Sequence, residues 1–219
     1  INTDINLDVA SILNREVNEY SPINKTVIDI ICLGEKEVWY GVHKVGKYTT
    51  HYPNSQIEID VPHEAPSKSY LKIKEIVKLF NINVESQDHW LDFGCAPGGA
   101  SFYLLSQGCQ VWGIDPAKMP DNISQHPSFS HIKIPVQDLS QEELPGVKIK
   151  WAHVDMNLNP KQSIKEVLRL CKKYGTQIKG IIFTIQMIKM DHIKNIENFE
   201  DHFYDWGFTD IISCHVPSH

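Results

Sequence analysis

The rhythm of apolar and polar positions changes part-way along this chain. Up to residue 62 the apolar residues come in short, separated runs: a helical period from Val9 to Glu19, a strand-like run from Thr26 to Cys32, a turn at Gly34 and a second run from Glu37 to Val42. Together they predict a small α+β hairpin unit. Pro53, Pro62 and Pro66, with few periodic apolar residues between Tyr48 and Ala65, read as a linker. From Ser67 onward helical and strand periods alternate. Ile73, Ile76, Val77 and Phe80 share one face of a helix predicted over Ser69 to Phe80, followed by a strand at 90–93, a helix at 98–107 and a strand from Gln110 to Ile114. A weaker strand is expected from Ser130 to Ile134 and a firmer one from Ile149 to Val154. Asn159 then caps a helix that starts at Pro160 and ends by Gly175. A strand from Ile178 to Ile185, a helix from Ile193 to Trp206 and a strand from Thr209 to Cys214 complete the pattern. Such alternation predicts an α/β fold, a mostly parallel sheet with helices on both faces, whose ligands bind at the carboxyl ends of the strands.

One of those strand ends stands out. Leu91 to Leu105 reads LDFGCAPGGASFYLL, an apolar strand (Trp90, Leu91, Phe93) that passes through a glycine turn directly into a helix. Gly94, Gly98 and Gly99 supply conformations that a Cβ would crowd, and Pro97 sits at the turn. This is the build of a nucleotide cradle, but the glycines fall as GxxxGG rather than the GxGxxG of dinucleotide folds, with Asp92 two residues ahead of the first. Three further strand ends carry carboxylates. Asp115 in GIDPAKM is placed to accept both hydroxyls of a ribose, Asp138 in VQDL to meet an adenine amino group, and Asp155 closes HVDMNLNP. Taken singly, each could be a turn former or helix cap; with the glycine loop they describe an adenosyl pocket.

Composition narrows the partners. The 219 residues are 42% hydrophobic and 22% charged, an ordinary globular balance, with a formal net charge of −6 that excludes indiscriminate binding to nucleic acid. Any nucleic-acid contact must be local. Lys68, Lys72, Lys74 and Lys78 form one basic stretch. Lys161, Lys165, Arg169, Lys172 and Lys173 form another, read as the solvated side of an amphipathic helix because Ile164, Val167, Leu168 and Cys171 interleave with it. The five cysteines contain no CxxC pair and the eleven histidines no HExxH, so no metal site and no disulfide framework are expected. No apolar run approaches the roughly 20 residues of a membrane span, and no signal peptide is recognisable. A cytoplasmic protein is expected, and the missing initiator Met and the abrupt ending at VPSH read as a piece of a longer one.

The pattern D-x-G-x-x-P-G-G, from Asp92 to Gly99, resembles the first motif of S-adenosylmethionine-dependent methyltransferases. With APSKSYLKIKE at 65–75 and the strand ending in Asp155 and Met156, the chain resembles the FtsJ-type RNA ribose 2'-O-methyltransferases over residues 65 to 219. That resemblance implies a Rossmann-like methyltransferase domain over 63–219, short of its last strand, with S-adenosylmethionine as cofactor and ribosomal RNA as partner. It implies cofactor contacts from Ser69, Asp92, Gly94, Ala96, Pro97, Gly98, Gly99, Asp115, Asp138 and Asp155. In a branch of the family that acts on large-subunit rRNA, a THUMP RNA-binding module precedes the catalytic domain, and residues 1–62 are expected to be the end of one.

The family's chemistry uses a Lys-Asp-Lys-Glu group to strip and align a ribose 2'-hydroxyl. A lysine acts as base only when burial and neighbouring cations draw its pKa down from about 10.4. By resemblance, Lys72 and Asp155 fill two of the four positions. The second lysine, the base, is expected where this chain has Gln186, and glutamine can hold a hydroxyl but cannot take its proton. Lys189 is the alternative base; three residues further on, it faces the other side of an extended strand unless a bulge or loop brings it round. The Glu is expected beyond His219. The chain is thus an RNA 2'-O-methyltransferase that uses Lys189 or a neighbouring group, or a degenerate homologue that binds cofactor and RNA without transferring methyl. A methyltransferase for small molecules or proteins is disfavoured by the 65–75 segment.

Overall fold

The computed structural model describes residues 24–32, 37–45, 59–186 and 194–214. The helix expected over Val9 to Glu19, the Gly34 turn and Lys189 lie outside them. The chain falls into two units, Ile1–Glu58 and Ile59–His219.

In the first unit, β1 (Thr26–Cys32) and β2 (Val38–Lys44) form an antiparallel hairpin in register from Thr26↔Lys44 to Cys32↔Val38. Its base is closed by Asn24, whose N–H donates to the Val45 carbonyl at 2.7 Å, and by Val45, whose N–H donates to the Lys25 carbonyl at 2.8 Å. Val38, Trp39, Tyr40 and Val42 are exposed on it.

The second unit is built on five parallel strands: β3 (His89–Phe93), β4 (Gln110–Ile114), β5 (Phe129–Ile132), β6 (Trp151–Val154) and β7 (Gly180–Phe183). Their spatial order is β5-β4-β3-β6-β7. The chain starts in the middle, winds outward through β4 and β5, and returns to the other side of β3. The strand order therefore reverses between β3 and β6, which opens a crevice at their carboxyl ends. The connecting helices are α1 (Ser69–Leu79), α2 (Gly99–Ser106), the single turn α3 (Asp121–Ser124), α4 (Pro160–Cys171) and α5 (Ile196–Trp206).

Strand alternation sorts the side chains to two faces. Leu91 and Phe93 of β3, Ala152 and Val154 of β6 and Ile114 of β4 pack with Ile164's neighbours Val167, Leu170 and Cys171 of α4 into one apolar layer. On the other face Trp90 and Val111 meet Tyr70 and Ile73 of α1 and Ala100, Tyr103 and Leu104 of α2. There Trp90 stacks on Trp151, ring centroids 5.5 Å apart, and the Trp151 ring fills the space that a Cβ on Gly180 would need. Gly99 lets the two helices of this face meet closely: a Cβ there would come within 2.7 Å of the Ser67 carbonyl and the Tyr70 amide.

Asn159 caps α4 as its sequence predicts, its Oδ1 accepting the Lys161 N–H at 3.1 Å. Lys161, Lys165 and Lys172 are exposed along that helix, while Arg169 turns inward to donate to the carbonyls of Val136 and Leu139. One expectation fails: Thr209 to Cys214 is not a strand. Its apolar run satisfies strand propensity, but a strand exists only where a ladder partner is available, and among the described residues β7 pairs with β6 alone.

Candidate active site

The site is assembled where β3, β4 and β6 end. Gly94 leaves β3 with φ +74°, and a Cβ on it would lie 2.5 Å from the Asp155 carbonyl oxygen and 2.8 Å from Met156 Cγ. Glycine is thus required both by the turn and by the contact that brings the ends of β3 and β6 together. Gly98 is the N-cap of α2 at φ +109° and brings no side chain to cap the helix. In the loop that leads into it, Ala96 is half-buried and Pro97 exposed, while Cys95 and Gly98 are buried. Burial, then the nearby carboxylates of Asp92 and Asp115, push the Cys95 thiol far above its ordinary range, so it stays a neutral packing group against Met119.

On β6 the alternation that buries Ala152 and Val154 on one face turns His153 and Asp155 to the other. Asp155 meets α1 there: Lys72 Nζ donates to its two carboxylate oxygens at 2.8 and 3.1 Å, and Ser69 Oγ donates to Oδ2 at 3.2 Å. Ser69 and Lys72 are one helical turn apart, which is why a single carboxylate can receive both. Asp115, at the end of β4, is partly exposed; its Oδ1 accepts the Ala117 N–H at 2.8 Å and its Oδ2 the Ala96 N–H at 3.3 Å. Each oxygen keeps a second lone pair for a hydroxyl. Asp138 is exposed in the loop after β5, at the close of a turn in which its N–H donates to the Pro135 carbonyl.

Asp92 differs from its expectation as a ligand contact. It is fully buried, and its oxygens are engaged by Ser101 Oγ at 2.6 Å and His153 Nδ1 at 2.8 Å. It faces the underside of the cradle, because its strand neighbours Leu91 and Phe93 fill the opposite layer. Ser101 and His153 are residues that motif reading missed, because their meeting with Asp92 depends on the pairing of β3 with β6 and on the seating of α2. Gln186 lies beyond β7. The Thr184 N–H donates to the Val154 carbonyl at 2.8 Å, which sets Thr184 beside Asp155, and the half-buried Gln186 follows two residues on.

The family model for FtsJ-like methyltransferases matches residues 65–206. The chain belongs to that family. Among curated relatives, "Ribosomal RNA large subunit methyltransferase M" of Hahella chejuensis is 24% identical over 179 residues, 76% of this chain and 43% of the relative. The protein of the same name from Laribacter hongkongensis is 31% identical over 88 residues, 37% of this chain and 25% of that one. The chain thus spans less than half the length of these curated relatives. Of solved structures, a SAM-dependent methyltransferase from Archaeoglobus fulgidus is 18% identical with a TM-score of 0.45, covering 66% of this chain and 70% of that one.

The cofactor of this FtsJ-like domain is S-adenosylmethionine, and the residues present fit it. The glycine cradle leaves backbone where a Cβ would stand, the first turn of α2 offers amide donors, and Asp115 offers a carboxylate at the next strand end. Among the described residues no cluster of His, Cys, Asp and Glu is suited to hold a metal, and no helix is long and apolar enough to cross a membrane.

Proposed function

We propose that this chain is the catalytic part of an enzyme that methylates the 2'-hydroxyl of a ribose in ribosomal RNA. The observation that carries this reading is the Lys72–Asp155 pair, set at the carboxyl end of β6 against Gly94 of the cradle. When bound, S-adenosylmethionine supplies a sulfonium methyl already activated for transfer. The chain's task is to present an oxygen in line with it. An ammonium has three donors; two of those of Lys72 meet Asp155, which leaves the third for the acceptor oxygen. Asp155 fixes Lys72, and Ser69 backs Asp155 from one turn earlier.

Ribosomal RNA as substrate is supported by the names of the relatives, and the cytoplasm follows as the compartment. Charge supports it locally: Lys68 precedes α1, and Lys118 and Lys133 follow β4 and β5, all exposed at the crevice end of the sheet in a chain of net charge −6. The first unit fits the end of a THUMP module, with Trp39 and Tyr40 exposed as surfaces on which bases can stack. A second reading is favoured by Gln186, which stands where the resemblance expects the base: a homologue that binds cofactor and RNA without transferring methyl. Under the active reading the base is Lys189 or a neighbouring group.

Transfer of labelled methyl from S-adenosylmethionine to large-subunit rRNA tests this. Label recovered in dinucleotides that resist alkaline hydrolysis marks the ribose 2'-oxygen. Label on a base would overturn the ribose assignment, and cofactor binding with no label in RNA would establish the degenerate homologue.

A further inference from the structure

We infer that His153 is a positioning residue that locks the cofactor cradle to the acceptor side of the site through Asp92; this rests on the function proposed above. The two residues are direct partners in the β3–β6 register, and their side chains lie on the face covered by α1 and α2. They are 1% and 0% exposed, and His153 Nδ1 lies 2.8 Å from Asp92 Oδ1. An ionised carboxylate only accepts, so Nδ1 carries the hydrogen and the ring is held in one orientation. The other carboxylate oxygen takes Ser101 Oγ, in the first turn of α2. One buried carboxylate thereby joins the strand that leads into Gly94, the helix start that forms the cradle, and the strand that ends in Asp155.

The rungs of this face show why the polar one is not needed for the sheet alone. Two residues earlier the same strands are bridged by the apolar Trp90–Trp151 stack. Two residues later they meet where Gly94 approaches the Asp155 carbonyl. The Asp92–His153 rung lies between the apolar support and the reacting end. A buried charge there is costly unless every partner keeps its place, and that cost fixes the relative position of cradle and acceptor.

The test compares His153→Asn, whose amide can donate from the Nδ1 position, with His153→Gln, whose amide reaches the Nε2 position and leaves Asp92 unpaired on that side. Calorimetry on the full chain should show S-adenosylmethionine bound about tenfold more weakly by the Gln variant, because a cradle no longer locked in place is binding-competent in only about a tenth of the molecules, with Asn close to the unaltered chain. At saturating cofactor, kcat should fall further for Gln than for Asn. Asn and Gln variants of equal cofactor affinity would overturn the inference, as would a Gln variant that fails to fold while Asn folds, since the role would then be structural. If the unaltered chain binds cofactor but methylates no RNA, the proposed function falls while the calorimetric comparison still decides the role of His153.

Discussion

Lys72 and Asp155, 83 residues apart in sequence, form a two-oxygen ion pair with Nζ at 2.8 and 3.1 Å, on side chains only 18% and 10% exposed. The pair joins α1 to the end of β6 and fixes the position of the Lys72 ammonium. Lys72→Ala should lower methyl transfer by about 10²-fold or more, the scale of a lost polar catalytic group, while leaving cofactor affinity unchanged. Labelled-methyl kinetics beside calorimetry checks this; equal loss of both would make Lys72 a residue of the fold or of the cofactor site.

Gly98→Val places a β-branched residue at φ +109°, with its Cβ 3.0 Å from Met119 Cε and 3.1 Å from Ile123 Cγ1. The α2 start must move, and the cradle with it. We expect S-adenosylmethionine binding to be abolished while circular dichroism still reports the folded domain. Unchanged calorimetric affinity would remove Ala96 to Gly99 from the cofactor site.

If Gln186 marks weakened chemistry, Gln186→Lys in the full-length protein should raise methyl transfer to ribosomal RNA. No gain from that change, together with loss of activity in Lys189→Ala, would instead place the base at Lys189. Single-turnover rates with saturating cofactor separate the two.

At the opposite end of the sheet Lys150 Nζ lies 2.6 Å from Glu85 Oε2 and 2.7 Å from Asp88 Oδ1. The hydrogen bond from Lys150 holds the Glu85 carboxyl below its ordinary value, and bonds to Asp88 and then Glu85 lift Lys150 above its own. Glu85 therefore contributes stability above the free carboxylate pKa of about 4.3, and the contribution is lost as pH falls through the lowered folded value. Lys150 contributes below about 10.4, and that is lost as pH rises through its raised value. Lys150→Met should cost about 1 kcal/mol at neutral pH. Thermal melts should show the gap to the unaltered chain narrowing as pH is lowered from 7 toward 3.

What could be read from the chain was what is local. The glycine turn after Phe93, the Asn159 cap and the periods of β3, β4 and α2 are written within a few residues of themselves, and the structure shows them. The Asp92–His153 rung and the Lys150 clamp depend instead on which strands become neighbours and in what register, so neither announces itself in sequence. Asp92 was expected at the ligand because motif position says nothing of depth; its partners Ser101 and His153 decide that it faces inward. Thr209 to Cys214 has a strand's composition without a strand's partner, and composition alone cannot supply one.

The two faces of the sheet divide labour in a way that bears on how such a protein can change. The layer against α4 is largely apolar, from Leu91 and Phe93 to Val167 and Leu170, and meets the cradle at Met156, whose Cγ lies 2.8 Å from where a Cβ on Gly94 would stand. Substitution at Lys72 or Asp155, on the other face, therefore leaves the packing of Val167 and Leu170 in place, and such a domain can lose its reaction while keeping its fold.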